Sequence, residues 1–424
     1  MSWTQSDISY IRAPRVLGVL AGILLSANIQ AAGLSLESAE ELALASDPGV
    51  QSVQANQRAL DEMSVAAGQL PDPMLKMGVV GLPTDTFNLG QEAMTQVQLG
   101  LVQKFPRGKS RSLRSAQIGL KSEGLDEIIR DQELQILLAV REQFLEVLKQ
   151  RELARINAAA TLALTDVAEI TKDYYATGRV YQHDVLQAAV ELAKVEDRAT
   201  RIAQDEERAR TRLATWIGDA AYRELDTAWP DFGLDVSGDA IKPRLTDHPR
   251  IRSLEKSISA AETGVELAKQ RYKPEFAVDV TYGGRGGTNP DGRSRADLLS
   301  LMVVMDIPLF RKNRQDRVVA AQVAESSAAL FTRDDVLRRM RSEVDFHYAT
   351  YQRQRDRIEL FENTLLPDAS FSSEASLAAY QSSVENLTTL LRTQITEYEL
   401  QLEHARLRAE VLKTQARLRY LEGV

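Results

Sequence analysis

The sequence consists of two copies of one pattern, and this internal duplication limits the folds that the chain can adopt. In the first copy, Asp47-Pro48 opens a helical segment, and two strand-like runs then end at Lys104-Phe105-Pro106. In the second copy, His248-Pro249 and Asp306-Ile307-Pro308 occupy the equivalent places. Equivalent positions lie roughly 201 to 202 residues apart, as expected for an internal structural repeat. The chain is therefore predicted to contain a first repeat over 33–228, a linker over 229–246 and a second repeat over 247–424.

Each repeat is predicted to contain two long helices, joined by a turn at Tyr175-Ala-Thr-Gly178 or at Tyr380-Gln-Ser-Ser383. The predicted helices cover about 110–175 and 184–217 in the first repeat, and about 313–380 and 386–422 in the second. At 1.5 Å per residue, the first helix is roughly 100 Å long. Apolar residues recur at every seventh position of the third helix, which is typical of a coiled coil: Leu337, Val344, Tyr351, Ile358 and Leu365. A rod-like coiled coil without a pore is one alternative.

Four strands are predicted, over about 73–80, 94–105, 274–283 and 298–309. Their apolar and polar residues alternate; Val97, Leu99 and Leu101 share one face, for example. Such alternation over about ten residues is typical of a strand in a transmembrane barrel, although an ordinary sheet packed on a core alternates in the same way. The long polar loops 81–91 and 283–293 favour the barrel, because barrels carry longer loops on their outer side.

Four strands cannot close a barrel, since single-chain barrels need at least about eight. An open sheet in lipid would leave the backbone groups at its edges without hydrogen bonds. Several chains must therefore combine their strands, and three copies would supply twelve. The predicted fold is mainly α with a small β part, made of a long coiled-coil tunnel and four barrel strands per chain.

Residues 1–32 are predicted to be a signal peptide. Arg12 and Arg15 precede the apolar run from Val16 to Leu25, and the small residues Ala31 and Ala32 follow it. A membrane anchor is the alternative, but the run is short for a span of about 20 residues. The chain contains no cysteine, so an N-terminal lipid anchor on cysteine is excluded.

The composition argues against several other classes of protein. The net charge of -8 and the interspersed basic residues do not favour nucleic-acid binding. No metal site or cofactor is predicted, because cysteine is absent and the four histidines are far apart. Catalysis is not predicted either: Asp72, Asp85 and Glu92 lie in loops without a basic or histidine partner, and Gly283–Gly287 lacks the features of a phosphate loop. Copper ligands could be proposed at Met74, Met77 and Met94, but methionine in a strand is more often a packing residue.

The sequence resembles the TolC-like outer-membrane factors. The resemblance rests on Leu36-x-x-Ala39, on Ala43-Leu-x-x-Asp47-Pro48, on the two tyrosine-containing turns and on the duplication, and it extends from about Leu34 to the C-terminus. Four short segments resemble the CusC/CzcC branch, which is associated with heavy-metal efflux: residues 68–73, 82–87, 94–96 and 103–109.

The resemblance implies a homotrimer in the outer membrane, with a twelve-stranded β-barrel in lipid and a twelve-helix α-barrel that crosses the periplasm. It implies an efflux channel that conducts substrate passively, here heavy-metal cations. The implied partners are a periplasmic adaptor (membrane fusion protein), an inner-membrane RND-type pump and outer-membrane lipid. A TolC-like channel for secreted proteins or organic compounds is the alternative, because the same fold serves both functions.

The resemblance also implies that the helical turns are the functional tips. The expected adaptor contacts are Gly178, Arg179, Val180, Ser383 and Val384. Ser383 stands where the family usually has glycine, which predicts a less sharp second turn. The expected gate residues are Asp184, Glu385 and Arg392; Arg392 and Thr389 stand where the family has aspartate. A closed state could use pairs between Arg392 and Glu385 or Asp184.

Overall fold

The structure is a computed structural model that describes residues 33–45, 47–233 and 237–424. The predicted signal peptide, 1–32, lies outside the described residues. The chain is mostly helical and contains one sheet of four antiparallel strands, so the predicted fold class is confirmed. Among the described residues, no helix is both long enough and apolar enough to cross a membrane.

The first repeat contains two short helices, two strands and a pair of long helices. Their bounds are α1 Leu36–Ala45, α2 Pro48–Ala67, β1 Met74–Val80, β2 Gln96–Phe105, α3 Ser110–Ala176 and α4 Gln182–Ile217. Helix α2 begins at Pro48, as the Asp47-Pro48 pair predicts. The Asp47 carboxylate accepts a hydrogen bond from the Val50 amide at 2.9 Å, and proline occupies the first turn of the helix. Helix α3 runs for 67 residues without a break.

The second repeat has the same order of elements. Their bounds are α5 Gly238–Arg244, α6 Pro249–Lys269, β3 Phe276–Gly284, β4 Leu298–Met305, α7 Gln315–Leu360, α8 Leu366–Gln381 and α9 Leu387–Glu422. Helix α5 lies inside the segment 229–246, which is predicted from the sequence to be a linker. It is part of the fold, because Ile241 and Leu245 are buried against Met340 and Leu418. Strand β4 ends at Met305, four residues before the predicted end, since Pro308 cannot donate a ladder hydrogen bond.

One predicted long helix, 313–380, is interrupted near Pro367. Helix α7 ends at Leu360, a π-helical turn covers Phe361–Leu365, and α8 places Pro367 in its first turn. Proline lacks an amide hydrogen and its ring would collide with a carbonyl one turn earlier. The wider π-helical turn accommodates the proline ring, so that the chain continues as a helix beyond it.

The sheet follows the order β1-β2-β3-β4, and its register aligns apolar residues with apolar residues on neighbouring strands. Met77, Leu99, Tyr282 and Leu299 form one such row across all four strands. All four side chains are about half exposed or more. The opposite face carries polar side chains: Lys76 and Asp279 form an ion pair at 3.0 Å, and Thr281 lies across from Gly100. The sheet therefore has one apolar face that the described residues leave uncovered.

Helix α3 is the central element of the helical part. It packs against α2 and α6 near the sheet and against α4 and α9 farther away. A buried apolar cluster holds α3, α4, α8 and α9 together, with Leu153, Leu164, Val195, Leu390 and Leu402 among its members. Burial of such side chains stabilises each by about 1.5–3 kcal/mol relative to exposure.

Ion pairs add to the contact between α3 and α9. The Glu146 carboxylate lies 2.7 Å from the Lys413 ammonium and 2.6 Å from that of Lys149, and Arg417 pairs with Glu142 at 2.6 Å. Burial alone would raise the pKa of Glu146, but hydrogen bonds from the two lysines lower it to about 2. Glu146 therefore remains charged far below neutral pH.

We predict that Glu146→Gln lowers thermal stability at pH 7, because it removes the negative charge that two partly buried lysines share. The pKa of Glu146 is lower in the folded chain than the ordinary 4.5, so the stabilisation is complete above that pH and is lost as the pH falls towards about 2. The loss at pH 7 should be on the order of 3 kcal/mol. Circular dichroism melts of both variants between pH 7 and pH 2 should converge at the acid end. A constant difference across this range would contradict the role of the charge.

Candidate functional site at the tips of the helical hairpins

The turn between α3 and α4 is a tight helical stop. Gly178 has a φ of 71°, in the left-handed region that glycine adopts without steric cost. The Arg179 amide donates to the Tyr174 carbonyl at 2.8 Å, and the Gly178 amide donates to the Tyr175 carbonyl at 3.0 Å. These two bonds satisfy carbonyl groups at the end of α3, as in the Schellman motif.

The turn between α8 and α9 has the same geometry, although it lacks glycine. Ser383 has a φ of 61°, the Val384 amide donates to the Ala379 carbonyl at 2.9 Å, and the Ser383 amide donates to the Tyr380 carbonyl at 3.0 Å. The expectation of a less sharp second turn is therefore wrong. The hydrogen bonds hold serine in a backbone conformation that costs a non-glycine residue roughly 1–2 kcal/mol.

Most of the predicted adaptor contacts are exposed at these turns. Gly178, Arg179 and Ser383 are exposed, Val180 is partly buried, and the Val384 side chain is 81% exposed. The Arg179 guanidinium lies 5.3 Å from the centre of the Tyr174 ring, which is a cation–π contact. The predicted contacts thus lie at the tips of the two helical hairpins, and their role in binding an adaptor stays a prediction.

The three predicted gate residues lie near the tips but do not pair with each other within the chain. The Asp184 carboxylate accepts a hydrogen bond from the Tyr181 amide at 2.8 Å, so this residue caps the start of α4. Glu385 is partly buried and its carboxylate accepts only a long bond, 3.3 Å, from the Asn386 amide. Arg392 is exposed on α9, and within the described residues its guanidinium contacts no carboxylate.

Sequence reasoning missed the residues that join the two tips. The Tyr174 hydroxyl donates to the Gln381 carbonyl at 3.0 Å, and the Tyr380 hydroxyl lies 3.2 Å from that of Thr171. The rings of Tyr174 and Tyr380 lie 5.6 Å apart. Burial raises the pKa of Tyr380, so its hydroxyl keeps its proton at neutral pH. These contacts tie the α3–α4 hairpin to the α8–α9 hairpin.

A second polar link lies deeper in the same bundle. The buried Asn157 amide donates to the Val195 carbonyl at 3.1 Å, and its side-chain oxygen accepts from the Tyr398 hydroxyl at 2.5 Å. One side chain thus connects α3, α4 and α9. A polar residue in the apolar seam of a coiled coil was the available sequence signal, since such residues often set register.

The described part of the chain contains no cluster of three or more histidine or acidic side chains that could hold a metal ion. The candidate site is a surface formed by the two turns between α3 and α4 and between α8 and α9.

Comparison with known proteins finds a match to a family model in the second repeat. Residues 241–424 match the family model described as "Outer membrane efflux protein". The pyoverdine export outer membrane protein OpmQ of Pseudomonas aeruginosa is 25% identical over 345 residues, which cover 77% of this chain and 69% of that protein. The match of residues 241–424 agrees with the resemblance to the TolC-like outer-membrane factors, and the predicted location in the outer membrane is confirmed. These matches do not identify the CusC/CzcC branch.

Solved structures of outer-membrane channels share the fold. The outer-membrane channel OprN superposes with a TM-score of 0.76 at 16% identity, covering 92% of this chain and 89% of that one. CusC superposes with a TM-score of 0.75 at 12% identity, covering 91% of each chain. VceC of Vibrio cholerae superposes with a TM-score of 0.74 at 16% identity, covering 92% and 96%.

We predict that Gly178→Ala loosens the first tip, whereas Ser383→Ala leaves the second unchanged. Alanine at 178 must adopt the left-handed backbone that glycine tolerates, at a net cost of about 1 kcal/mol, while serine and alanine carry the same backbone strain at 383. Amide hydrogen exchange of residues 174–184 should accelerate roughly fivefold in Gly178→Ala. Equal effects of the two substitutions on their own tips would contradict this account.

Proposed function

We propose that this chain, whose residues 241–424 match the model of the outer membrane efflux protein family, is the channel subunit of a tripartite efflux pump. It carries out no chemistry and conducts substrate passively from the periplasm to the exterior. The observation that carries this proposal is the four-stranded sheet, which combines a bare apolar face with unpaired edges on top of long helical hairpins.

Three copies of the chain form the channel in this proposal. The free edges of the sheet belong to β1 and β4, and these two strands run antiparallel because the order contains an even number of antiparallel strands. The β4 edge of one copy can therefore extend the sheet onto the β1 edge of the next. Closing the ring satisfies all edge hydrogen bonds, which lipid requires.

The helical tips are the proposed docking site for a periplasmic adaptor, which in turn joins an RND-type pump in the inner membrane. Val384 and Tyr181 are 81% and 76% exposed, and exposed apolar side chains of this size are typical of interaction sites. The other predicted contacts lie beside these two side chains at the tips of the hairpins: Gly178, Arg179, Val180 and Ser383. The energy for transport comes from the inner-membrane pump.

The gate is proposed to lie between subunits at the second tip. Arg392 is exposed and without a carboxylate within the described chain, and Glu385 accepts only one long hydrogen bond. A salt bridge between Arg392 of one copy and Glu385 of the next would hold the tips closed. Asp184 is already engaged in capping α4, so it contributes less.

The segments that resemble the CusC/CzcC branch support heavy-metal cations as the cargo. The OpmQ relative, named for pyoverdine export, supports an organic compound as a second candidate. The fold serves either cargo.

We predict that purified protein reconstituted in planar bilayers shows a small conductance, and that Glu385→Ala/Arg392→Ala increases it severalfold by removing a bridge between tips. The matched control is Arg353→Ala/Asp356→Ala, which removes one basic and one acidic side chain from an exposed ion pair on α7. The control should conduct like the wild type, because exposed pairs contribute little. Absence of conductance in a folded trimer at high voltage would overturn the channel function, and equal increases in both variants would overturn the gate.

A further inference from the structure

A cavity of about 750 Å³ lies where the helices meet the sheet. Helices α2, α3, α6 and α7 all contribute to its wall. Four arginines line it: Arg107, Arg111, Arg114 and Arg271. Nothing in the gate or in the adaptor site involves these side chains.

The cavity opens on the polar face of the sheet. Glu275 lines it, and the hydrogen bond from the Asp306 amide to the Glu275 carbonyl, at 3.0 Å, continues the pairing of β3 with β4 by one residue. Phe276, the next residue, lies on the apolar side of the register, so Glu275 belongs to the face that carries Lys76 and Asp279, because successive residues of a paired strand point to opposite faces. In a closed barrel with its apolar face in lipid, the cavity faces the lumen.

The positive charge of this cavity is not neutralised within the chain. Arg107 contacts both nearby carboxylates: it lies 3.6 Å from Glu275 and hydrogen-bonds Asp306. In the part of the chain that the structure describes, Arg111, Arg114 and Arg271 form no ion pair. The Arg111 guanidinium donates only to the Gly68 carbonyl, at 3.2 Å.

The three arginines differ from many others on the helices. The chain carries a net charge of -8, and Arg155, Arg201 and Arg208, for example, each pair with a carboxylate three or four residues away. Like charges that share a cavity repel each other, and at physiological ionic strength screening acts over about 8 Å. An anion in the cavity would remove this repulsion. The planar guanidinium group binds carboxylate and phosphate with two parallel hydrogen bonds.

We propose that Arg111, Arg114 and Arg271 form an anion-binding ring in the lumen, at the junction between the helical tunnel and the barrel. The proposal rests on the channel function above and names the class of its cargo: small solutes that carry carboxylate or phosphate groups. Metal ions pass such a ring as anionic complexes, since a bare cation is repelled. The ring therefore favours an organic cargo over free metal cations.

The test is the ion selectivity of the channel in planar bilayers under a potassium chloride gradient. The wild type should prefer chloride, and Arg111→Gln/Arg114→Gln/Arg271→Gln should lower the ratio of chloride to potassium permeability by about threefold or more. The matched single variants are Arg271→Gln and Lys269→Gln. Lys269 is two residues away and pairs with Glu266 at 2.6 Å, on the face of α6 opposite the cavity.

The outcomes separate this proposal from the channel function. A conducting channel whose selectivity is unchanged in the triple variant, or changes equally in Lys269→Gln, overturns the ring and leaves the channel intact. If no variant conducts, inorganic phosphate is the probe. Phosphate should raise the melting temperature of the wild type and of Lys269→Gln above that in sodium chloride of equal ionic strength. The same rise in the triple variant would overturn the proposal.

Discussion

The proposed channel depends on one constraint: backbone groups that enter lipid must form hydrogen bonds within protein. The four strands pair with each other but leave β1 and β4 with a free edge, and their apolar face is bare. A soluble protein would cover such a face with helices, whereas here the helices extend away from the sheet. An even number of antiparallel strands allows identical copies to join edge to edge. In the proposed channel, joining the copies in this way satisfies the free edges of β1 and β4.

In the proposed channel, the helical part extends from the sheet towards the periplasm. Helix α3 contacts both hairpins, and Asn157, Tyr174 and Tyr380 connect them by hydrogen bonds. Apolar burial gives the bundle its stability, while these polar links determine how the helices are aligned. Links of this kind near a tip can be exchanged for others at small cost, which suits an element with a closed and an open arrangement.

The sequence predicted much of the fold, because duplication, heptads and alternation report on periodic burial. It could not predict the turn at Ser383, where hydrogen bonds to Ala379 and Tyr380 carbonyls override the preference for glycine. It also treated 229–246 as a linker, because Ile241 and Leu245 are too few to show a period. The arginine cavity escaped notice since its residues come from segments more than 150 positions apart and meet only after folding.

Disulfide cross-linking between β1 and β4 tests most directly the claim that three chains pool their strands. The chain has no cysteine, so Met77→Cys can be combined with Leu299→Cys, Leu301→Cys or Val303→Cys without interference. Met77 and these three positions lie on the same face of the sheet, and within one chain they are separated by two strands. For at least one pair of cysteines, oxidation in membranes should give covalent dimers and trimers and no larger species. A reductant should convert these species back to monomers. Monomers alone for every pair, or a ladder that continues beyond three chains, would contradict the closed trimer.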